Sequence, residues 1–180
     1  MKIGVVQFNP VVGDLYNNIS RMFDFYVSAC DQGAELVVYP EMAVTGYPIE
    51  DLAQSKSFVS SAIKAGDIFM DMVKKSGRNK PVIFGNIDEG KEKPFNMAYT
   101  YDVGDTFDTV FHSVLAYSDY TYPPYEQLSF DGGHKFAKAE LPNYGVFDEK
   151  RVFDSAEPTA PNAFFVKGIG RVSVAICEDL

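Results

Sequence analysis

Three residues far apart along the chain carry side chains that could together support nucleophilic catalysis by a thiol. Cys177 follows a predicted buried strand and precedes two acids, so its thiol should lie where a strand end meets solvent or a cleft. A free cysteine is only a few per cent thiolate at neutral pH, and a catalytic one therefore needs a base or a nearby cation. Glu41 could take the thiol proton, and Lys138 could hold the oxyanion of a tetrahedral intermediate.

Each of these residues also has an ordinary structural explanation. Free cysteine is among the most buried residue types, so Cys177 could simply fill the core at a strand end. Glu41 could cap the turn that follows it, and Lys138 could be a solvated strand end. Alternation along the strand puts Lys135 and Lys138 on opposite sides, so only one of the two lysines can face Cys177.

The hydrophobic pattern predicts strands that alternate with helices. Helices are predicted from Asp14 or Asn17 to Gly33 and from about Ser57 to Lys75, because apolar residues recur there at helical spacing. Short apolar runs predict strands at 2–8, 36–39, 81–87, 95–101, 133–138, 163–166 and 172–176. This order favours the α/β class, with a mixed sheet whose helices lie on one face.

The predicted strands bring the three chemical residues to strand ends. Pro40 ends the second strand just before Glu41, while Lys138 and Cys177 close two later strands. Ligands of open α/β sheets collect beyond the carboxyl ends of strands, so residues distant in sequence can converge there.

An acidic segment at 102–130 interrupts the alternation. It contains five acidic residues and four tyrosines but no lysine or arginine. A structureless loop of this length is uncommon inside a compact domain, so the segment is functional, folded as an excursion of its own, or mobile. We expect a surface excursion or a subunit contact, and the protein is expected to form a homo-oligomer.

The composition limits the kinds of partner. A chain of 180 residues with 46% hydrophobic content fits one domain with a real core. The net charge of −9 argues against nucleic acids and anionic membranes, which need clustered lysine and arginine. Two cysteines and two histidines give neither a disulfide framework nor a zinc site, so we expect no metal and a reducing, cytoplasmic location. A small molecule or a protein is the expected partner.

Several blocks of the chain resemble a known family. They are YPEM at 39–42 with TGYPIEDL at 45–52, KAELPNYGVFDEKRVF at 138–153, and ICEDL at 176–180. These blocks resemble the nitrilase (carbon–nitrogen hydrolase) superfamily and, more narrowly, the N-terminal glutaminase domains of glutamine-dependent NAD synthetases. The likeness takes in nearly all of 1–180 as one glutaminase domain, and residues 100–129 are expected to be an insertion within it.

The resemblance implies a fold and a catalytic triad. The fold would be the α-β-β-α sandwich of nitrilases, and the triad would be Glu41, Lys138 and Cys177. By the family's chemistry, Cys177 attacks the side-chain amide of L-glutamine and Glu41 relays the proton to the departing ammonia. Water then hydrolyses the thioester. Lys138 and the backbone N–H of Glu178 would stabilise the oxyanion.

The resemblance also implies a substrate pocket and a second domain. Tyr144, Phe147 and Glu178 match positions that line the family's glutamine pocket, although the two aromatic side chains could instead pack under a loop. The glutaminase step needs no cofactor. In the whole family enzyme, ammonia passes through a tunnel to a synthetase domain that uses ATP, magnesium and deamido-NAD.

The chain departs from the family in its extent. It has counterparts for only the first half to two-thirds of the nitrilase-like domain and for none of the synthetase domain, so one sheet face should lack its cover and the isolated chain should turn over slowly. Two alternatives stay open. One is a free-standing carbon–nitrogen hydrolase that acts on another amide, and the other is a non-catalytic scaffold whose acidic, tyrosine-rich segment binds a partner.

Overall fold

The computed structural model describes residues 2–102, 107–108, 133–145, 147–155, 163–166 and 170–177. Most of the expected insertion at 100–129 and the whole of Glu178 lie outside the described residues. The helices are α1 (Leu15–Asp31), α2 (Lys56–Lys75) and α3 (Glu149–Val152). The strands are β1 (Ile3–Val5), β2 (Leu36–Val38), β3 (Val82–Asp88), β4 (Phe95–Tyr101), β5 (Phe107–Asp108), β6 (Gly133–Ala137), β7 (Ala163–Val166) and β8 (Gly170–Ser173).

The main sheet is mixed, as the sequence pattern predicts. Its strand order is β1-β2-β3-β4-β6, with β1, β2 and β3 parallel and β4 antiparallel to both of its neighbours. Ala137 at the end of β6 pairs with Met97, and the next residue, Lys138, donates its backbone N–H to Asn96 O at 2.8 Å. The register therefore places Lys138 beside the beginning of β4.

The two long helices cover one face of this sheet. Ser55 begins α2 by accepting a hydrogen bond from Phe58 N, and the apolar face of α2 is buried at helical spacing. Phe69 of α2 meets Phe84 of β3, which stacks on Tyr99 of β4, with ring centroids 5.1 and 5.3 Å apart. Within the described part of the chain, no helix is both long and apolar enough to cross a membrane.

A second sheet packs against the other face. It contains β5, β7 and β8, all antiparallel, and forms a second β layer after the helices and the main sheet. Val172 and Val174 pack with Val38 and Phe136 against the buried pair Leu36 and Ile83. This layering is the α-β-β part of the expected sandwich. On the edge strand β1, Ile3 and Val5 are 43% and 69% exposed, so the main sheet carries apolar side chains without cover there.

The terminal strand differs from its prediction. The pattern predicts a strand at 172–176 that is covered on both sides, but β8 ends at Ser173, and Ser173 and Ala175 are exposed. The backbone has left the ladder after Ser173 and turns at Cys177, whose φ of +52° lies in the left-handed region that non-glycine residues rarely adopt. Cys177 is thus held on a turn three residues beyond Val174 rather than at the last position of a strand.

Candidate active site

Lys138 is a buried ammonium group between two carboxylates. Its side chain is 0% exposed, and its Nζ lies 3.0 Å from Glu41 Oε1 and 2.9 Å from Glu149 Oε2. Burial is the largest influence on the pKa of Lys138 and lowers it, but the hydrogen bonds and charges of Glu149 and Glu41 together outweigh burial and leave the pKa raised. Lys138 is therefore not a solvated strand end, and it stays charged at neutral pH.

The turn that carries Glu41 rests directly on β3. A Cβ at Gly85 would lie 2.2 Å from Met42 N and 2.7 Å from Glu41 C, so only glycine allows this close approach. Val44 N donates to Gly85 O at 3.2 Å, and Gly85 N donates to Pro40 O at 3.3 Å. The turn after β2 is thereby fixed on the sheet, with the Glu41 carboxylate directed to Lys138.

Glu149 is a member of this cluster to which the sequence pattern assigned no role. It is the first residue of α3, which Asp148 caps by accepting a hydrogen bond from Lys150 N. The pattern predicts only a loop at 141–149. The sequence signal that could have identified Glu149 is a helix-capping aspartate, Asp148, followed directly by an acid within a run of large side chains. The Glu149 side chain is 1% exposed and that of Glu41 is 25% exposed, so Glu41 is the carboxylate that a ligand can reach.

Tyr47 joins this cluster to the aromatic residues around it. Its hydroxyl donates to Glu149 Oε1 at 3.0 Å, and its ring meets Phe147 edge-on, with centroids 5.2 Å apart. Burial and then the hydrogen bond to Glu149 and the charge of Glu149 raise the pKa of Tyr47, which keeps the phenol protonated as a donor. Tyr47 thus holds the carboxylate of Glu149, the second ion-pair partner of Lys138, in place.

The two predicted pocket aromatics have different surroundings. Phe147 is 4% exposed and packs between Tyr47 and Phe153 in the main core. Tyr144 is 45% exposed, on a tight turn in which its N–H donates to Phe147 O at 3.0 Å. Tyr144 is therefore open to a ligand, while Phe147 supports Tyr47 from behind.

Replacing Tyr47 by phenylalanine should remove the hydrogen bond that holds Glu149 while leaving the aromatic ring packed in the core. The variant loses one hydrogen bond to a buried carboxylate, so we expect a stability loss of about 1–3 kcal/mol and a fall in kcat of roughly 10-fold. Urea unfolding and steady-state amide hydrolysis measure the two effects. Tyr16→Phe is the control, because Tyr16 is 57% exposed on α1 and should tolerate the same change. Equal kcat values for the two variants would contradict a role for the Tyr47–Glu149 bond.

Cys177 lies at the open side of the site. It is exposed, and its Sγ is 3.5 Å from the Tyr144 hydroxyl, which is its polar contact among the described residues. The structure thus joins Glu41 and Lys138 directly, whereas among the described residues Cys177 is paired with Tyr144 and not with either of these two.

Lys135 belongs to another part of the molecule. Its Nζ lies 2.5 Å from Asp88 Oδ2 and 4.8 Å from the centroid of the Tyr99 ring, on the sheet face that the helices cover. The alternation of β6 therefore separates the two lysines, and Lys138 is the one beside Glu41.

The arrangement combines an exposed thiol, a partly accessible carboxylate and a buried cation. A carboxylate can accept a thiol proton, and an ammonium group can stabilise the negative charge that develops on a carbonyl oxygen. Among the residues that the structure describes, no group of three or more histidine, cysteine or acidic side chains could hold a metal ion. A thiol, a carboxylate and a cation are the groups that covalent catalysis by cysteine uses, and this chemistry would leave an acyl-enzyme.

Comparison with known proteins agrees with this chemistry. A family model described as carbon-nitrogen hydrolase matches residues 2–180. A glutamine-dependent NAD(+) synthetase from Thermotoga maritima is 30% identical over 182 residues, which cover 100% of this chain and 26% of that protein. The solved structure of glutamine-dependent NAD+ synthetase from Acinetobacter baumannii has a TM-score of 0.69 at 26% identity and covers 98% of this chain and 27% of its own.

An amidase supports the fold alone. The crystal structure of an amidase from Nesterenkonia sp. has a TM-score of 0.70 at 19% identity, over 97% of this chain and 54% of the amidase. The chain therefore spans about a quarter of the length of the synthetases it matches and about half of the amidase.

Proposed function

This chain belongs to the carbon–nitrogen hydrolase family, and we propose that it hydrolyses the side-chain amide of L-glutamine through a thioester on Cys177. The observation that carries the proposal is the buried Lys138 ammonium, which lies within 3.0 Å of both the accessible Glu41 and the enclosed Glu149. Burying a cation is costly even when it is paired twice, and buried groups of this kind are enriched at functional sites.

In the first half of the reaction, Glu41 takes the thiol proton of Cys177 while sulfur bonds to the amide carbon. The carbonyl oxygen becomes an oxyanion, which Lys138 and the backbone N–H of Glu178 stabilise. The tetrahedral intermediate then collapses, the carbon–nitrogen bond breaks, and Glu41 returns its proton to the leaving nitrogen as ammonia departs. A γ-glutamyl thioester remains on Cys177.

In the second half, Glu41 takes a proton from water as the water oxygen attacks the thioester. The carbon–sulfur bond breaks and glutamate leaves, and Glu41 gives the proton back to the Cys177 sulfur. Tyr144, whose hydroxyl is already 3.5 Å from that sulfur, contacts the substrate at the open side of the site. Glu178, which lies outside the described residues, is proposed to bind the substrate as well, and Phe147 supports the ring of Tyr47.

The ammonia is proposed to serve a separate synthetase domain. The curated relatives carry the name glutamine-dependent NAD(+) synthetase, and this chain covers about a quarter of the first of them. We propose that ATP, magnesium and deamido-NAD bind in that other domain and that the glutaminase step itself needs no cofactor. Because Cys177 is exposed and its surroundings are only partly desolvated, the 180-residue chain alone should turn over slowly.

Substrate preference is the experiment that tests this function. In the native polypeptide, kcat/KM for L-glutamine should exceed that for a simple aliphatic amide by about 100-fold or more, because a site built to bind polar groups rejects analogues that lack them. Ammonia release measures both rates, and Cys177→Ala provides the background. Equal rates for the two amides would favour a free-standing amidase. Release of ammonia from neither amide would favour the non-catalytic scaffold.

A further inference from the structure

Asn96 touches the reactive carboxylate from the main sheet. It is the second residue of β4, it is 0% exposed, and its Nδ2 donates to Glu41 Oε1 at 2.6 Å. Met97 and Tyr99 of the same strand belong to the main core, where Tyr99 stacks on Phe84. Alternation directs Asn96 to the opposite face, where the turn that carries Glu41 lies over Gly85.

Asn86 provides a structural contrast on the neighbouring strand. It is equally buried, and its Nδ2 donates to the backbone oxygen of Ala62 in α2 at 2.9 Å. In both asparagines the Oδ1 atom is buried without a partner among the described residues. The two asparagines therefore differ in the acceptor of their amide N–H. Asn86 donates to a backbone oxygen and joins a helix to the sheet, whereas Asn96 donates to the side chain of Glu41, which is 25% exposed in the site.

The two donors to Glu41 converge on one of its oxygens. Asn96 Nδ2 and Lys138 Nζ lie 2.6 and 3.0 Å from Oε1, while none of the described residues donates to Oε2. An oxygen that already accepts two hydrogen bonds, one from a cation, is a poor site for a further proton. Oε2 is therefore the basic oxygen of Glu41.

We propose that Asn96 is a positioning residue that holds Glu41 Oε1 so that Oε2 faces the Cys177 thiol and carries the proton in every transfer. The proposal rests on the proposed function, in which Glu41 is the base and then the acid. Asn96 acts only through Glu41 and touches no substrate. Its loss should therefore lower kcat while leaving KM nearly unchanged.

Asn96→Asp tests the proposal in the native polypeptide, with Asn86→Asp as the matched control. A second carboxylate beside Glu41 would share a proton with it, because two like charges this close cannot both ionise freely. The new carboxylate and Glu41 together keep that proton to higher pH. The acid limb of the kcat/KM profile for glutamine should therefore shift to higher pH by about one unit or more. Asn86→Asp buries the same new group on the other face and should leave the acid limb in place.

Asn96→Ser supplies a second measurement that does not depend on a buried charge. It replaces the amide donor to Glu41 by a hydroxyl on a shorter side chain, so the 2.6 Å hydrogen bond should be lost. kcat should then fall by about 10-fold or more with KM nearly unchanged, and Asn86→Ser should keep a kcat within about 3-fold of the unchanged protein. Wild-type kcat in Asn96→Ser, or an unmoved acid limb in a folded Asn96→Asp, would overturn the proposal. Either result together with an inactive Cys177→Ala would leave the glutaminase function standing, whereas an active Cys177→Ala would reject that function itself.

Discussion

Replacing Cys177 by alanine is expected to lower kcat for glutamine hydrolysis by about 10⁵-fold, because the thioester can no longer form. Fold stability should change little, since Cys177 is exposed at a turn. The left-handed φ of +52° at this position is as unfavourable for alanine as for cysteine, so the substitution adds little strain. Ammonia release and urea unfolding measure the two quantities.

Cys30→Ala is the matched control, because Cys30 is the other cysteine of the chain. It lies on α1, partly buried against the main core. This variant should lose some stability through packing and keep its catalytic rate. If Cys177→Ala retained more than about a tenth of the unchanged rate, covalent catalysis at this residue would be wrong and the scaffold alternative would gain support.

Replacing Lys138 by methionine should damage both catalysis and stability. The side chain keeps much of its bulk but loses the charge, which leaves Glu149 buried without its cation. Breaking a buried pair in this way costs about 3–5 kcal/mol of unfolding free energy. Loss of an oxyanion donor should lower kcat by about 10²–10³-fold.

The stability effect should be present across the neutral pH range. The pKa of Lys138 is raised above its ordinary value of 10.5 in the folded protein. The contribution of this group is therefore complete below 10.5 and is lost only as the pH rises through the higher folded pKa. Unfolding of the native and Lys138→Met proteins at pH 7 and pH 9 should thus give nearly the same difference.

Lys135→Met separates catalysis from stability. Lys135 also forms a largely buried ion pair, with Asp88, but on the face that the helices cover. Its replacement should destabilise the fold while kcat stays within about 3-fold of the unchanged protein. If Lys135→Met impaired hydrolysis as much as Lys138→Met, the assignment of the oxyanion donor to Lys138 would fail.

The sequence pattern predicts local elements well where periodicity is long. α2 occupies Lys56–Lys75 against a prediction of about 57–75, because an apolar helical face and the Ser55 cap agree. β4 occupies Phe95–Tyr101 as predicted. The last strand was misjudged because its apolar run continues after the ladder ends. Val174 is partly buried against the main sheet and Ile176 is buried, although both lie beyond the strand pairing.

The site was only partly accessible to prediction. The position of Glu41 and Lys138 at strand ends indicates that they can converge, and in the structure they form an ion pair of 3.0 Å. The roles of Glu149 and Asn96 depend on contacts that no local pattern encodes. Asn96 lies 55 residues from Glu41 in sequence, and Tyr47 lies 102 residues from Glu149. Such partners become visible only after the register of β4 and β6 and the position of α3 are known.

Covalent trapping tests the central claim most directly. The native polypeptide is incubated with an electrophilic analogue of glutamine, and its intact mass and the labelled peptide are then determined. One label on Cys177 is expected, with none on the Cys177→Ala variant and slower labelling of Lys138→Met. A label on Cys30, or labelling that survives the loss of Cys177, would contradict the account.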